Sequence, residues 1–233
     1  MKHRKIRKAV SLLAAVCLLG SLSSAAAAET AAPGSIEKLT VAIDQAIYRY
    51  TAPNGQELYF VADAMEEPVV QMEDVNFDGT DDAVITTRMG ASNAYYEFYV
   101  WDGQQYIFAT PADLAESGLA NYGLDAEKGY VFSHANNGMA GLECEVGVYR
   151  WEGLELKPVR VLRAETKSEW QNYDSYSFAV VYDTRLLQAT VTDYTADVYE
   201  GNVIWEKEFN TEKSGFDGAQ TWNEMESALM SGL

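Results

Sequence analysis

Apolar and polar positions alternate with a period of two along most of the chain, in short runs punctuated by turn residues. Alternation at that period is the mark of strands with one face packed and one face wet. Ile47–Thr51 and Leu58–Ala62 flank Pro53-Asn54-Gly55, and Asn-Gly tolerates the positive φ angles that a tight hairpin requires. Val69–Met72 and Ala83–Thr87 stand on either side of an acidic segment, and Tyr95–Trp101 and Tyr106–Thr110 are joined by Asp102-Gly103. Further strands are predicted over Tyr130–Ser133, Glu143–Trp151, Leu154–Leu162, Ser177–Tyr182, Ala189–Tyr199 and Val203–Phe209. Two short helices break the series. Pro111–Ser117 has proline at a permitted first-turn position, and Ala219–Met230 sets Trp222, Met225 and Leu229 on one face. Ile36, Leu39, Ile43, Ile47 and Tyr50 fall at helical spacing, but the second half of that stretch also reads as strand.

The expected fold is mainly β: a single antiparallel β domain, propeller-like or double-sheet, with one or two short helices. A weak echo runs through Trp101-Asp102-Gly103, Trp151-Glu152-Gly153 and Tyr199-Glu200-Gly201, each an aromatic before an acid-glycine turn. Repeated hairpins of that form suit a blade-like or sandwich arrangement, and convergence on a common hairpin formula is the alternative. Fifteen tyrosines and five tryptophans suit half-buried pleated surfaces.

The first residues follow another pattern. Met1–Lys8 is basic, Ala9–Leu22 is apolar and small residues follow as far as Ala28, the order of a secretory leader cleaved after Ala26-Ala27-Ala28. The apolar run is shorter than the ~20 residues that span a bilayer. Residues 1–28 are therefore expected to be a signal peptide, 29–45 a flexible lead-in and 46–233 the β domain. The product is expected outside the cell, secreted or held at the envelope.

Loss of the leader sharpens the charge. Taking its five basic residues from 17 leaves 12 Lys and Arg against 35 acids, a net charge of −23. Such a surface repels nucleic acid and anionic lipid and attracts cations and basic proteins. Cys144 is the one cysteine beyond the leader, so the domain forms no internal disulfide and rests on its core or on bound ions. Cys144 alternates with apolar neighbours, as a buried small hydrophobe would.

The strongest motif is Asp74-x-Asn76-x-Asp78-Gly79-x-x-Asp82. Calcium takes six to eight oxygen ligands, and alternate residues of a tightly wrapped loop can aim their oxygens at one centre. Asp74, Asn76 and Asp78 fill the first, third and fifth positions. Gly79 permits the bend, the Thr80 carbonyl can reach the ion, and Asp82 closes from the ninth. The twelfth position, where an EF-hand carries a bidentate glutamate, holds Ile85 within a strand-like run, so the loop feeds a strand and not a helix. Affinity near the ~0.1–1 mM of extracellular modules is expected, with magnesium a poorer fit because it resists dehydration. A metal-free turn rich in Asp, Asn and Gly is the alternative.

Asp74–Asp82 followed by a strand resembles the calcium loops of FG-GAP and VCBS-type repeats. The order beyond it runs through Trp101-Asp102-Gly103, Phe108-x-x-Pro111-x-x-Leu114, Asp125-x-Glu127-Lys128-x-Tyr130-x-x-Ser133, Gly138 and Tyr149-x-Trp151. That order resembles secreted bacterial single-domain proteins with a calcium site and a fold like periplasmic lysozyme inhibitors, over about residues 47–160. The resemblance implies an all-β domain and a role in binding. Inhibitors of this kind present a Ser-Gly-x-x-Tyr loop to their target, which points to Ser117, Gly118 and Tyr122 as partner-binding residues, although Tyr122 stands one position late. The implied partner is a basic extracellular protein such as a lysozyme-like cell-wall hydrolase.

Catalysis has little to stand on. His134 is the sole histidine past the leader, and no G-x-S-x-G, H-E-x-x-H or phosphate loop occurs. A pair of carboxylates could serve a glycosidase, and Glu143 and Glu145 share a strand face, but an acid-rich surface makes any one pair uninformative. No enzyme activity is expected. An envelope-associated structural module without a dedicated ligand is the other reading of the composition.

Overall fold

A computed structural model describes residues 34–65, 67–111, 114, 117–172, 178–197 and 199–233. The expected leader, the lead-in as far as residue 33 and most of the expected helix Pro111–Ser117 lie outside the described residues. The rest is mainly β, with three antiparallel sheets and, among the described residues, one α-helix. No helix there is long and apolar enough to cross a membrane. Contacts group the chain into two compact units that divide between Leu124 and Asp125.

The first unit opens with β1 (Ser35–Ala42), β2 (Gln45–Thr51) and β3 (Glu57–Asp63), paired in that order. The stretch that read both ways is thus strand, and β1 falls inside the expected lead-in. The physical reason is the hairpin partner: Ile36, Lys38 and Val41 stand opposite Tyr50, Tyr48 and Ala46, so a weak pattern is settled by a strong neighbour. In β2 and β3 burial alternates as the sequence does, with Tyr48, Tyr50, Leu58 and Phe60 inside. Their hairpin turns at Asn54-Gly55, where Gly55 takes φ 84° and the Asn54 side chain accepts from Gln56 N at 3.0 Å.

The second sheet of this unit holds β4 (Val70–Glu73), β5 (Asp82–Met89), β6 (Ala94–Trp101) and β7 (Tyr106–Phe108) in order, with β8 (Leu119–Ala120) also on β6. Strand β5 is buried on both faces from Asp82 to Thr87, as an apolar central strand is. Tyr48, Tyr50, Leu58 and Phe60 of the first sheet form one core with Val70, Ala83, Ile85 and Tyr99 of the second. This is a double-sheet arrangement.

The other unit contains β10 (Tyr130–Gly138), β11 (Glu143–Glu152), β12 (Glu155–Asn172), β13 (Phe178–Asp193) and β14 (Asn202–Asn210). They form a meander whose edge is extended by β9 (Gly123–Asp125). Strand β13 joins two predicted strands through Asp183–Gln188, with a register shift against β12 between Asp183 and Leu187 and with Leu187 fully buried. The predicted strand over Ala189–Tyr199 ends early, at Asp193, whose carboxylate accepts from Thr195 N at 2.8 Å and turns the chain out of the sheet.

Helix α1 (Gly218–Met230) starts on Asp217, whose side chain accepts from Ala219 N and Gln220 N. Met225 and Leu229 are fully buried along it. Arg160 of β12 ties its end to the sheet, donating to the Leu229 carbonyl at 3.0 Å, the Ser231 carbonyl at 2.5 Å and the Asp193 carboxylate at 2.9 Å.

Candidate functional site

The acidic loop joins β4 to β5 and leaves the sheet only as far as its own hydrogen bonds allow. Val75 is fully buried and anchors it, and Phe77 and Gly79 take left-handed φ angles of 64° and 88° that fold the chain back. A substituent on Gly79 would meet nothing within 4 Å, so the glycine is required for its backbone angle alone.

Within that fold three predicted ligands come together. Asp74 Oδ1 and Asn76 Oδ1 each accept from Asp78 N at 3.0 Å, so two oxygens from alternate residues converge on one N–H. Asp74 Oδ2 accepts from Gly79 N at 2.9 Å, Asn76 Nδ2 donates to Asp78 Oδ2 at 3.0 Å, and Asp78 Oδ1 accepts from Thr80 N at 2.8 Å. Asp78, Gly79 and Thr80 are exposed, and carboxylate and amide oxygens are the hard donors that calcium prefers. Thr80 enters this network through its backbone N–H.

Asp82 has a different place. It is fully buried at the start of β5, with Oδ2 accepting from Val75 N at 3.1 Å and Oδ1 from Trp101 N at 2.9 Å. It therefore clamps the loop entrance and β6 to β5. Burial pushes its pKa up to about 6, against the pull of those two N–H groups, and the charge of Asp78 adds to the rise. Among the described residues no three His, Cys, Asp or Glu side chains gather at metal-binding separation. Asp74, Asn76 and Asp78 are the residues whose side-chain oxygens the loop gathers. Asp82 supports their scaffold, with each carboxylate oxygen engaged by a backbone N–H.

The expected partner loop is also turned toward the protein. Gly118 takes φ 77°, and a Cβ there would stand 2.7 Å from the Tyr96 carbonyl oxygen, so the glycine allows β8 to pair with β6. The Ser117 hydroxyl lies 3.5 Å from the Gly118 carbonyl. Tyr122 is half-buried, edge-on to Tyr96 at 4.7 Å and to Phe98 at 5.1 Å between ring centres. Its hydroxyl donates to Glu73 Oε2 at 2.5 Å, and burial, with Glu73 beside it, raises its pKa well above the ordinary tyrosine value. Tyr122 thus packs against β6 with its hydroxyl engaged by Glu73.

Sequence reasoning passed over Glu73 and Asn121. Asn121 holds the strand start through Oδ1, which accepts from Ala94 N at 2.9 Å, and through Nδ2, which donates to the Ser92 carbonyl at 3.1 Å. Its φ of 41° suits asparagine, one of the non-glycine residues most at ease there, but no local pattern in the sequence marked it. His134 stacks on Trp222 at 5.5 Å, with burial lowering its pKa, and Cys144 is 1% exposed.

No family model matches the chain, and no curated protein matches it. Among solved structures it is similar to a Xanthomonas Type IV secretion system related protein, at 12% identity and a TM-score of 0.42. That match covers 78% of this chain and 96% of the other.

Proposed function

We propose that the chain is a calcium-binding β module of the cell envelope or extracellular space that acts by binding a protein and not by catalysis. The observation that carries the calcium reading is the convergence of Asp74 Oδ1 and Asn76 Oδ1 on Asp78 N, each at 3.0 Å, beside the carboxylate of Asp78 itself. An oxygen-lined loop held on a buried clamp needs little rearrangement to take a hard cation. Calcium there would cross-link Asp74, Asn76 and Asp78 and offset the repulsion between the two carboxylates. A binding role is favoured over turnover because the two side chains best suited to nucleophilic or acid–base work are a buried thiol, Cys144, and a partly buried histidine stacked on Trp222, His134. A net charge of −18 makes a basic protein the preferred partner, and a lysozyme-like cell-wall hydrolase is the kind that the resemblance implies.

Thermal unfolding in millimolar calcium, in chelator and in magnesium tests the first half of this reading. An ion that binds only the folded loop with a Kd of ~0.1–1 mM adds about 0.4–1.4 kcal/mol at ~1 mM. Asp78→Ala removes most of that gain, and magnesium supplies little of it. Equal melting temperatures in calcium and chelator refute the site. The second half is tested by titration against a panel of basic lysozymes at ~0.15 M salt, where screening removes purely long-range attraction. Absence of both binding and inhibition refutes the hydrolase as partner.

A further inference from the structure

We propose that the free edge of β1 takes an extended peptide in which apolar residues alternate with basic ones, adding a strand to the three-stranded sheet. The proposal deepens the protein-binding half of the reading above and is independent of the calcium loop.

Strand β1 pairs with β2 on one side, and no described strand pairs with the other. An open edge presents a row of backbone donors and acceptors that another strand can satisfy, and proteins normally guard such edges with charge, proline or bulges. Here the guards are spent. Lys38 folds over the Tyr48 ring, 5.2 Å from its centre, and donates to the Ala64 carbonyl at 3.0 Å. Glu37 is paired with Arg49, which also binds Glu57 at 2.9 Å. One irregularity between Lys38 and Thr40 remains, and beyond it Thr40-Val41-Ala42 carries neither charge nor proline.

The side chains along that edge are apolar and uncovered. Leu39 is 44% exposed, Val41 57% and Ile43 100%. Ile43 also takes φ 45° at the hairpin tip, a costly conformation for a β-branched residue. On the outer face Thr40, Ile47 and Val61 are register partners across the three strands, and Ile47 and Val61 are 42% and 47% exposed. An added strand would cover Leu39 and Val41 and extend the Thr40–Ile47–Val61 row. Backbone pairing supplies affinity in such an arrangement, and alternate side chains supply choice.

Charge selects the occupant. Around this sheet Glu37 and Glu57 exceed Arg49 by one charge, Asp44 and Asp63 add two more and Lys38 returns one, a local excess of acid in a chain of net charge −18. A second copy would bring two strongly acidic surfaces together, and an anionic bilayer would meet the same repulsion. A segment alternating lysine or arginine with valine or isoleucine answers both the apolar row and the acidic surround.

The test uses the full chain and a synthetic seven-residue peptide of alternating lysine and valine, with its glutamate–valine counterpart as control. Binding is followed at ~0.15 M salt by titration calorimetry and by amide shifts of the protein. The lysine peptide is expected to bind with the largest shifts in β1, the glutamate peptide at least tenfold more weakly, and Val41→Lys to weaken the lysine peptide at least tenfold. Val41 is more than half exposed, so that variant keeps the fold, which its unchanged melting temperature checks. Asp78→Ala is expected to lose the calcium response and keep the peptide affinity, so failure of the loop and failure of the edge are separable. No binding, shifts centred elsewhere, or a Val41→Lys affinity within twofold of the parent overturns the proposal. So does a chain that sediments as a dimer dissociated by Val41→Lys, since the occupant is then a second copy.

Discussion

Glu97 offers the sharpest test of the electrostatics of the first unit. It lies on β6 opposite Ile85, partly buried, and accepts from the Tyr99 hydroxyl at 3.0 Å. Burial pushes its pKa up to about 7 from an ordinary 4.5, more than the Tyr99 hydrogen bond pulls it back. The unfolded chain therefore gives up this proton near pH 4.5 and the folded chain near pH 7. Between those values the folded state holds more protons, so stability falls as pH rises through the window and levels off above it. At 1.36 kcal/mol per pH unit the gap corresponds to about 3 kcal/mol, and residual solvent contact trims it to about 2 kcal/mol. Glu97→Gln cannot titrate and leaves the Tyr99 hydroxyl an amide oxygen as acceptor. Near pH 4.5 the variant and parent are expected to unfold at similar denaturant concentrations. At pH 8 the variant is expected to be more stable by about 2 kcal/mol. Urea unfolding at half-unit steps from pH 4.5 to 8 measures the difference directly, and subtraction removes the other titrating groups. Parallel curves, or a variant that loses ground as pH rises, refute the reasoning.

Three further outcomes follow from particular contacts. Asp82→Ala withdraws the acceptor shared by Val75 N and Trp101 N and is expected to cost about 2 kcal/mol in denaturant unfolding, with the loss exceeding that of Asp78→Ala in the absence of calcium. Gly118→Ala combines a left-handed φ of 77° with a backbone clash at 2.7 Å and is expected to cost about 2 kcal/mol or more, accompanied by faster amide exchange in β8. Arg160→Met frees the carboxylate of Asp193 and the last carbonyls of α1; a loss of about 3 kcal/mol is expected, with faster exchange along Gly218–Met230 than in β10 or β11.

Much of the fold was legible from period and turn chemistry alone. Residues that alternate every second position, as in Tyr48, Tyr50, Leu58 and Phe60, bury one face whatever packs on it, and Asn54-Gly55 sets its hairpin without help from distant parts of the chain. Helix α1 was equally local: Asp217 caps it, and Met225 and Leu229 share one side. The spacing of Asp74, Asn76, Asp78 and Gly79 likewise specified their convergence, because a wrapped loop is governed by its own backbone angles and hydrogen bonds. Asp82 could not be read in this way. Its place was decided by the N–H of Trp101, 19 residues on, and by complete burial, neither of which local spacing encodes. The packing of Tyr122 was hidden for the same reason: its neighbours Tyr96, Phe98 and Glu73 come from strands that only pairing brings near. Strand β1 shows the converse, an ambiguous pattern made a strand by its hairpin partner, with an edge whose exposure appears only once the order of the sheet is known. Local periodicity determines which residues can form strands and turns; long-range pairing decides which of their polar groups are satisfied inside and which are left to meet something else.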